Sequence, residues 1–152
     1  MAKYFTLNEL TRSATASRKG INNAPTMTVK GNLEALIEHV LDPLREKWGK
    51  PIIVTSGYRC PALNKAVGGA SGSQHLVGEA ADIRTSTDTR DENMRLLKIL
   101  LTSDIVFDQV IAEYVDAQGR PDWIHVSYKK NGGNRMKKTT CRNGKYTSGI
   151  RY

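Results

Sequence analysis

A chain of 152 residues with 39% hydrophobic and 25% charged side chains has room for one packed core. That excludes a multidomain enzyme with a separate cofactor domain, and the same balance excludes intrinsic disorder and a coiled coil. The net charge of +8 raises nucleic acid, a membrane surface or cell wall as partners, but residues 1–128 are balanced in charge: Lys129, Lys130, Arg135, Lys137, Lys138, Arg142, Lys145 and Arg151 carry the whole excess.

The residues from Met1 to Leu10 hold no apolar run long enough for a signal-peptide core. No later segment approaches the ~20 apolar residues of a membrane span. The expectation is a monomer synthesised in the cytoplasm, reaching any outer target by another route. Cys60 and Cys141, without a Cys-x-x-Cys spacing, are expected as free thiols.

Thr6-x-x-Glu9 is a capping-box pattern that opens a short helix from Leu7 to about Ser17. Gly20 to Gly31, with Asn22, Asn23 and Pro25, reads as a loop. From Asn32 the residues Leu33, Leu36, Ile37, Val40, Leu41, Leu44 and Trp48 fall on one helical stripe, which Pro43 should kink or reset. Pro51 to Thr55 is a β-branched run between glycines, hence a buried strand. Pro61 can open a short helix, and Gly68 to Gln74 is a Gly/Ser loop leading to His75. Ala80 to Ile83 forms another strand, and Thr89-x-x-Glu92 caps a second amphipathic helix. Gln109–Tyr114 and Trp123–Tyr128 read as a strand pair joined through Asp116, Gly119 and Pro121. Together these predict an α+β single domain over residues 1–152: a small antiparallel sheet with helices packed on it, and 129–152 as a basic C-terminal segment.

Three histidines can be weighed one by one. His39 lies off the apolar stripe of its helix and reads as a surface residue. His75 begins Ser73-x-His75-x-x-Gly78-x-Ala80-x-Asp82, where small residues let backbones approach and a loop imidazole and a carboxylate can converge on one metal ion. In Asp122-Trp-Ile-His125-Val-Ser127, strand alternation puts His125 and Ser127 on one face and Ile124 and Val126 on the other. Asp122 can share the site of His125 only from the turn after Pro121, where it could receive a proton from water. Spacing alone leaves each of these an ordinary structural reading: a hydrogen-bonded buried histidine, a strand end at Asp82, a turn former at Asp122.

Ser56-Gly-Tyr-Arg59, then Ser73-x-His75-x-x-Gly78-x-Ala80-x-Asp82, then Asp122-x-x-His125, in that order, resemble the zinc D-Ala-D-Ala metallopeptidases. That fold is shared by Van-type D,D-dipeptidases and carboxypeptidases, several phage endolysins and the Hedgehog signalling domain. The opening Tyr-Phe-Thr-Leu-Asn-Glu-Leu-Thr-Arg-Ser and Leu-Asp-Pro-Leu-Arg45 are similar to a small single-domain branch of it. The resemblance implies one Zn2+ held by His75, Asp82 and His125, with Asp122 as the general base that activates the attacking water. It implies that Arg59 polarises the scissile carbonyl and that Ser73 contacts substrate. The substrate it implies is a peptidoglycan stem peptide containing D-amino acids, cleaved by a carboxypeptidase- or endopeptidase-type reaction. Cys60, directly after Arg59, departs from the pattern.

Two other classes remain in view. One is a catalytically silent wall-binding or phage structural module of the same fold, against which the intact ligands, base and Arg59 speak. The other is a nucleic-acid binder, suggested by Tyr128, Tyr146 and Tyr152 among the basic residues. A charge-neutral body without a nucleic-acid motif tells against it. The basic segment itself reads either as a solvated, partly strand-forming edge or as a contact for anionic cell-wall polymers.

Overall fold

The computed structural model describes residues 2–152. The single opening helix expected from the capping box is two. Helix α1 (Leu7–Thr11) carries the full reciprocal box between Thr6 and Glu9, and α2 (Ala14–Lys19) restarts on Ser13, whose hydroxyl accepts from the Ala16 N–H. A serine that can cap breaks a run that apolar periodicity would continue. Helix α3 (Met27–Leu36) begins inside the expected loop, because Thr26 caps the Val29 N–H at 3.2 Å. Pro43 resets the helix as expected: the backbone widens into a π-helical turn over Ile37–Leu41 and resumes as α4 (Asp42–Trp48). Pro43 falls in the first turn of α4.

There follow β1 (Ile52–Ser56), α5 (Pro61–Ala66), a 3-10 turn over Gln74–Val77, β2 (Ala80–Thr85), α6 (Arg90–Thr102), β3 (Gln109–Glu113) and β4 (Trp123–Ser127). The basic segment supplies two more strands, β5 (Lys137–Arg142) and β6 (Lys145–Ser148). Asn143 and Gly144 both have positive φ, the backbone of a tight two-residue hairpin turn.

All six strands form one sheet in the order β1-β2-β4-β3-β5-β6. Every neighbour is antiparallel except β3 and β5. The chain is thus a single α+β domain in which the C-terminal hairpin is an integral edge of the sheet.

Alternation along the strands divides the sheet into a core face and a cleft face. Val54, Ala81, Ile83, Val110, Ala112, Ile124 and Val126 join Leu33, Leu36, Val40, Leu44, Leu96, Leu97 and Leu100 from the helices in one core cluster. Each wholly buried leucine there contributes about 2 kcal/mol from apolar burial. On the other face the register sets Asp82 opposite His125, His125 opposite Ile111, and Trp123 opposite Glu113. The period-two rule that buries Ile124 and Val126 therefore turns His125 and Glu113 into the same cleft.

Candidate metal centre and active cleft

His75 stands on the 3-10 turn after the Gly/Ser loop, and it is almost fully buried. Ser73 caps that turn by accepting from the His75 N–H at 3.2 Å. Gly78 closes the turn with φ +76°, and a β-carbon there would press on Val29 of α3, which is why the motif needs glycine at that position. The His75 Nδ1–H donates to the Gly57 carbonyl at 2.6 Å, which leaves Nε2 as the atom facing Asp82. Nε2 of His75 and Nδ1 of His125 lie 3.3 and 3.2 Å from the same Asp82 oxygen, Oδ1.

The donor atoms of His75, Asp82 and His125 all lie within 4.8 Å of one another, and among the described residues no other cluster of this kind is found. Two imidazole nitrogens and one carboxylate oxygen, in a buried pocket, suit a borderline-soft divalent cation, with room left for water or substrate. The carbonyl behind His75 is the kind of outer partner that fixes a ligand's tautomer and direction. Burial opposes ionisation of Asp82, but the hydrogen bonds from His125 and His75 outweigh it and hold the carboxyl far below the usual range.

The Ser-Gly-Tyr-Arg motif follows a bulge in β1: Val54 pairs with Ile83 while Ser56 pairs with Asp82, so Thr55 is the extra residue. Gly57 then passes so close to α1 that a β-carbon would run into the Leu10 carbonyl. Tyr58 N–H donates to that carbonyl at 2.7 Å and Arg59 N–H to the His75 carbonyl at 3.0 Å. Asn23 completes the anchorage: its amide donates to the Thr11 and Tyr58 carbonyls, and its Oδ1 accepts from Cys60 N–H at 2.7 Å. In the sequence Asn23 looks like one more loop asparagine, and only its long-range partners reveal the role. Arg59 is half-buried, and its Nη2 donates to the Ser73 hydroxyl at 3.5 Å, so the two expected substrate-side residues meet. Its Nε is buried with no hydrogen-bond partner among the described residues. Burial lowers its pKa and the charge of Asp82 raises it.

An open cleft of about 750 Å³ contains Arg59, Ser73, His75, Asp82 and His125 together. Asp122 is not on its wall. It is exposed, precedes the first residue of β4, and lines a smaller neighbouring depression with Arg90 and Asn143. Besides Asp82, two carboxylates line the main cleft, Glu79 and Glu113; Glu113 is only 7% exposed, with Oε1 lacking a hydrogen-bond partner among the described residues. Burial and the nearby Asp82 raise its pKa to about 7, while His125, Tyr146 and Cys141 pull the other way. Glu113 lies within the expected Gln109–Tyr114 strand and is not singled out by the sequence. The available signal was alternation, which groups it with Gln109 and Ile111 away from the core; the β3–β4 register that sets it beside His125 is a tertiary fact.

Three residues of the basic segment, Lys129, Arg135 and Tyr146, also line this cleft. Arg135 is anchored by a two-point pair with the fully buried Asp108, at 3.0 and 2.9 Å, and Gln74, beside His75, donates to the same carboxylate at 2.8 Å. Both cysteines are free; Cys141 is buried near Glu113. His39 is outside the site, half-exposed and stacked on Tyr128 at 4.8 Å.

The model of the family described as Peptidase M15 matches residues 3–127, from just before the first helix through the last residue of β4. The chain belongs to the peptidase M15 family. This is the zinc D-Ala-D-Ala metallopeptidase family that the three motifs resemble, and it makes the protein a peptidase by family. The match ends before the C-terminal hairpin, so β5 and β6 lie outside the matched residues. A search of curated proteins gives no match. Among the described residues no helix is long and apolar enough to cross a membrane.

Proposed function

We propose that this M15 peptidase is a zinc-dependent peptidoglycan hydrolase that cleaves stem peptides containing D-amino acids. The observation that carries the reading is the convergence of His75, Asp82 and His125 in a cleft that also holds a buried carboxyl and a half-buried arginine. His75 Nε2, Asp82 Oδ1 and His125 Nδ1 are the atoms that would hold the zinc. When bound, zinc supplies a Lewis acid that polarises a peptide carbonyl and brings the pKa of water to roughly 7.

In this proposal Glu113 is a candidate base beside Asp122, the position to which the family resemblance gives that role. A carboxyl whose pKa is lifted to about 7 can take a proton from the attacking water and return it to the leaving amine. Asp122 is exposed and on the wall of a different depression. Arg59, held by Ser73 and by the His75 backbone, is positioned to balance negative charge on the carbonyl oxygen as the bond breaks. Ser73 orders Arg59 and caps the His75 turn, which makes its contact with substrate secondary to its hold on the site.

The protein would act as a monomer on the cell wall after leaving the cytoplasm, and the exposed Lys137, Arg142, Lys145 and Arg151 would favour anionic wall polymers over nucleic acid. The test is digestion of purified sacculi by zinc-loaded protein, with mass spectrometry of the fragments. Glu113→Gln should keep the metal and lose roughly a thousandfold in turnover, with a much smaller loss for Asp122→Ala. The reverse ranking would return the base to Asp122, and absence of any zinc-dependent fragment would overturn the hydrolase reading.

A further inference from the structure

The family match stops at residue 127, and the wall of the main cleft continues past it. The row of Asp82, His125 and Ile111 across the sheet divides the cleft into two ends. Toward one end lie Glu113, Trp123 and Tyr146. Toward the other, the cleft face continues to Gln109 on β3 and Ser127 on β4, whose hydroxyl accepts from the Gln109 N–H at 3.0 Å. Beyond Ser127 the wall is Lys129 and Arg135, with Glu79 beside them, its carbonyl accepting from the Tyr128 N–H at 2.9 Å. Lys129 is four residues on from His125, about 13 Å along an extended chain.

Both cations are held by the loop that carries them. Lys129 N–H donates to Asn134 Oδ1 at 2.8 Å, and Asn134 Nδ2 donates back to the Lys129 carbonyl at 3.1 Å. Gly132 and Gly133, both at positive φ, let the chain fold back for that clamp. Arg135 then meets the wholly buried Asp108: its N–H and Nε donate to Oδ1 and its Nη2 to Oδ2. Nη1 takes no hydrogen bond among the described residues. The hydrogen bonds of Lys129 are those of its backbone, and its ammonium closes no ion pair among the described residues. Burial raises the pKa of Glu79, and the charge of Lys129 partly offsets the rise, which places the two groups within reach of each other's field.

We infer that Lys129 and Arg135 form a carboxylate-binding subsite of the cleft, which takes a free carboxylate of the stem peptide some residues away from the bond that is cut. The inference rests on the hydrolase reading above. A guanidinium edge next to an ammonium offers charge-assisted hydrogen bonds to one carboxylate. The distance from His125 selects which one: about 13 Å is three to four residues of extended peptide, so the group bound is not the one beside the scissile carbonyl, even after the lysine's own reach is allowed for. Glu79 narrows the ligand further. Its negative charge at the same end repels a run of phosphates and suits a peptide carboxylate that has an ammonium nearby. Because the loop is already clamped by Asn134 and Asp108, little ordering is needed when the peptide binds. Two carboxylates of a stem peptide meet the description, that of its D-glutamate residue and that on the side chain of a diaminopimelate residue.

The test uses the full-length protein and a soluble stem peptide containing D-glutamate and meso-diaminopimelate, with each free carboxylate converted in turn to a carboxamide. Binding is read by calorimetry before zinc is added, and cleavage by mass spectrometry after. The carboxamide at D-glutamate or at diaminopimelate should bind about tenfold more weakly than the parent peptide, and whichever does so names the carboxylate. Added salt should shrink the difference. Lys129→Gln should bring the ratio toward unity, with the loss falling on KM, and Lys129→Glu should reverse the preference, a result that a purely structural lysine does not produce. Arg135→Lys, which keeps a charge for Asp108 and loses the fork, should weaken binding of the parent by about threefold. If that variant fails to fold, Lys129→Gln decides by itself. Equal affinity for every carboxamide, a loss confined to the C-terminal carboxamide, or an unchanged preference in Lys129→Gln overturns the inference while leaving hydrolysis intact. If no peptide binds or is cleaved, the hydrolase reading falls and the inference falls with it.

Discussion

Replacing Glu113 by glutamine should make the protein more stable and nearly inactive. The carboxyl is buried, Oε1 has no hydrogen-bond partner among the described residues, and its pKa moves from an ordinary 4.5 to about 7. Below pH 4.5 it is neutral in both the folded and the unfolded chain, so it contributes no pH dependence there. Between 4.5 and 7 the unfolded chain gives up its proton first, and folding stability falls as pH rises. Above 7 the whole difference is present, about 3 kcal/mol against the folded state. Glu113→Gln has the same shape without the charge. In the metal-free protein it should therefore gain about 2–3 kcal/mol by urea unfolding at pH 8 and almost nothing at pH 4. With zinc bound the gain should shrink, because the cation favours the ionised carboxylate. Turnover should fall roughly a thousandfold above pH 7 and by less at lower pH, where the unmodified Glu113 is itself protonated. A pH-independent stability change, or a variant that keeps its turnover, would refute the claim that a strained buried carboxyl is the base.

Other consequences follow from named contacts. His75→Ala should abolish zinc retention, measured by elemental analysis after gel filtration, together with hydrolysis; Gly57→Ala should damage the same site indirectly by pushing the Arg59 loop away from Leu10, seen as lost activity and a melting temperature several degrees lower. Asp108 is held near pKa 2 because the hydrogen bonds from Arg135 and Gln74 outweigh the upward push of burial. Its contribution is present above pH 4 and is lost as pH falls through about 2. Asp108→Asn should cost about 1–2 kcal/mol at neutral pH, trimmed by the half-exposed Arg135, and should loosen the C-terminal hairpin in hydrogen exchange. Leu100→Ala, at a wholly buried site between α6 and the sheet, should cost about 2–5 kcal/mol in denaturant titration without altering zinc affinity.

The divisions between legible and illegible features have physical causes. The stripe from Leu33 to Trp48 and the capping box at Thr89 mark their helices because periodicity and capping act within a few residues. The boundary at Met27 was hidden, since a lone threonine cap inside a loop-like composition competes with Gly31 and Pro25 for the same signal. His75 and Asp82 stood out because the small residues between them let backbones approach, whereas Arg59 and Ser73 were pointed to by the family resemblance alone. His125 was readable because alternation separates it from Ile124 and Val126. Asp122 was pointed to by its position in the motif, and its exposed side chain lines a hollow beside the main cleft.

By itself the sequence determined the α+β composition and a charge excess confined to one segment, both of which depend on residue type and short spacing, and its three ordered motifs carried the resemblance that points to His75, Asp82, His125 and Arg59. Only the tertiary structure decided that Glu113 shares the cleft, that Asn23 and Gly57 hold the Arg59 loop, and that the basic segment brings Tyr146 on β6 and Arg135 from the loop before β5 to the site. Those facts come from pairing registers and side-chain contacts between distant residues. Such contacts depend on which strands lie side by side in the folded sheet, and no local pattern encodes that.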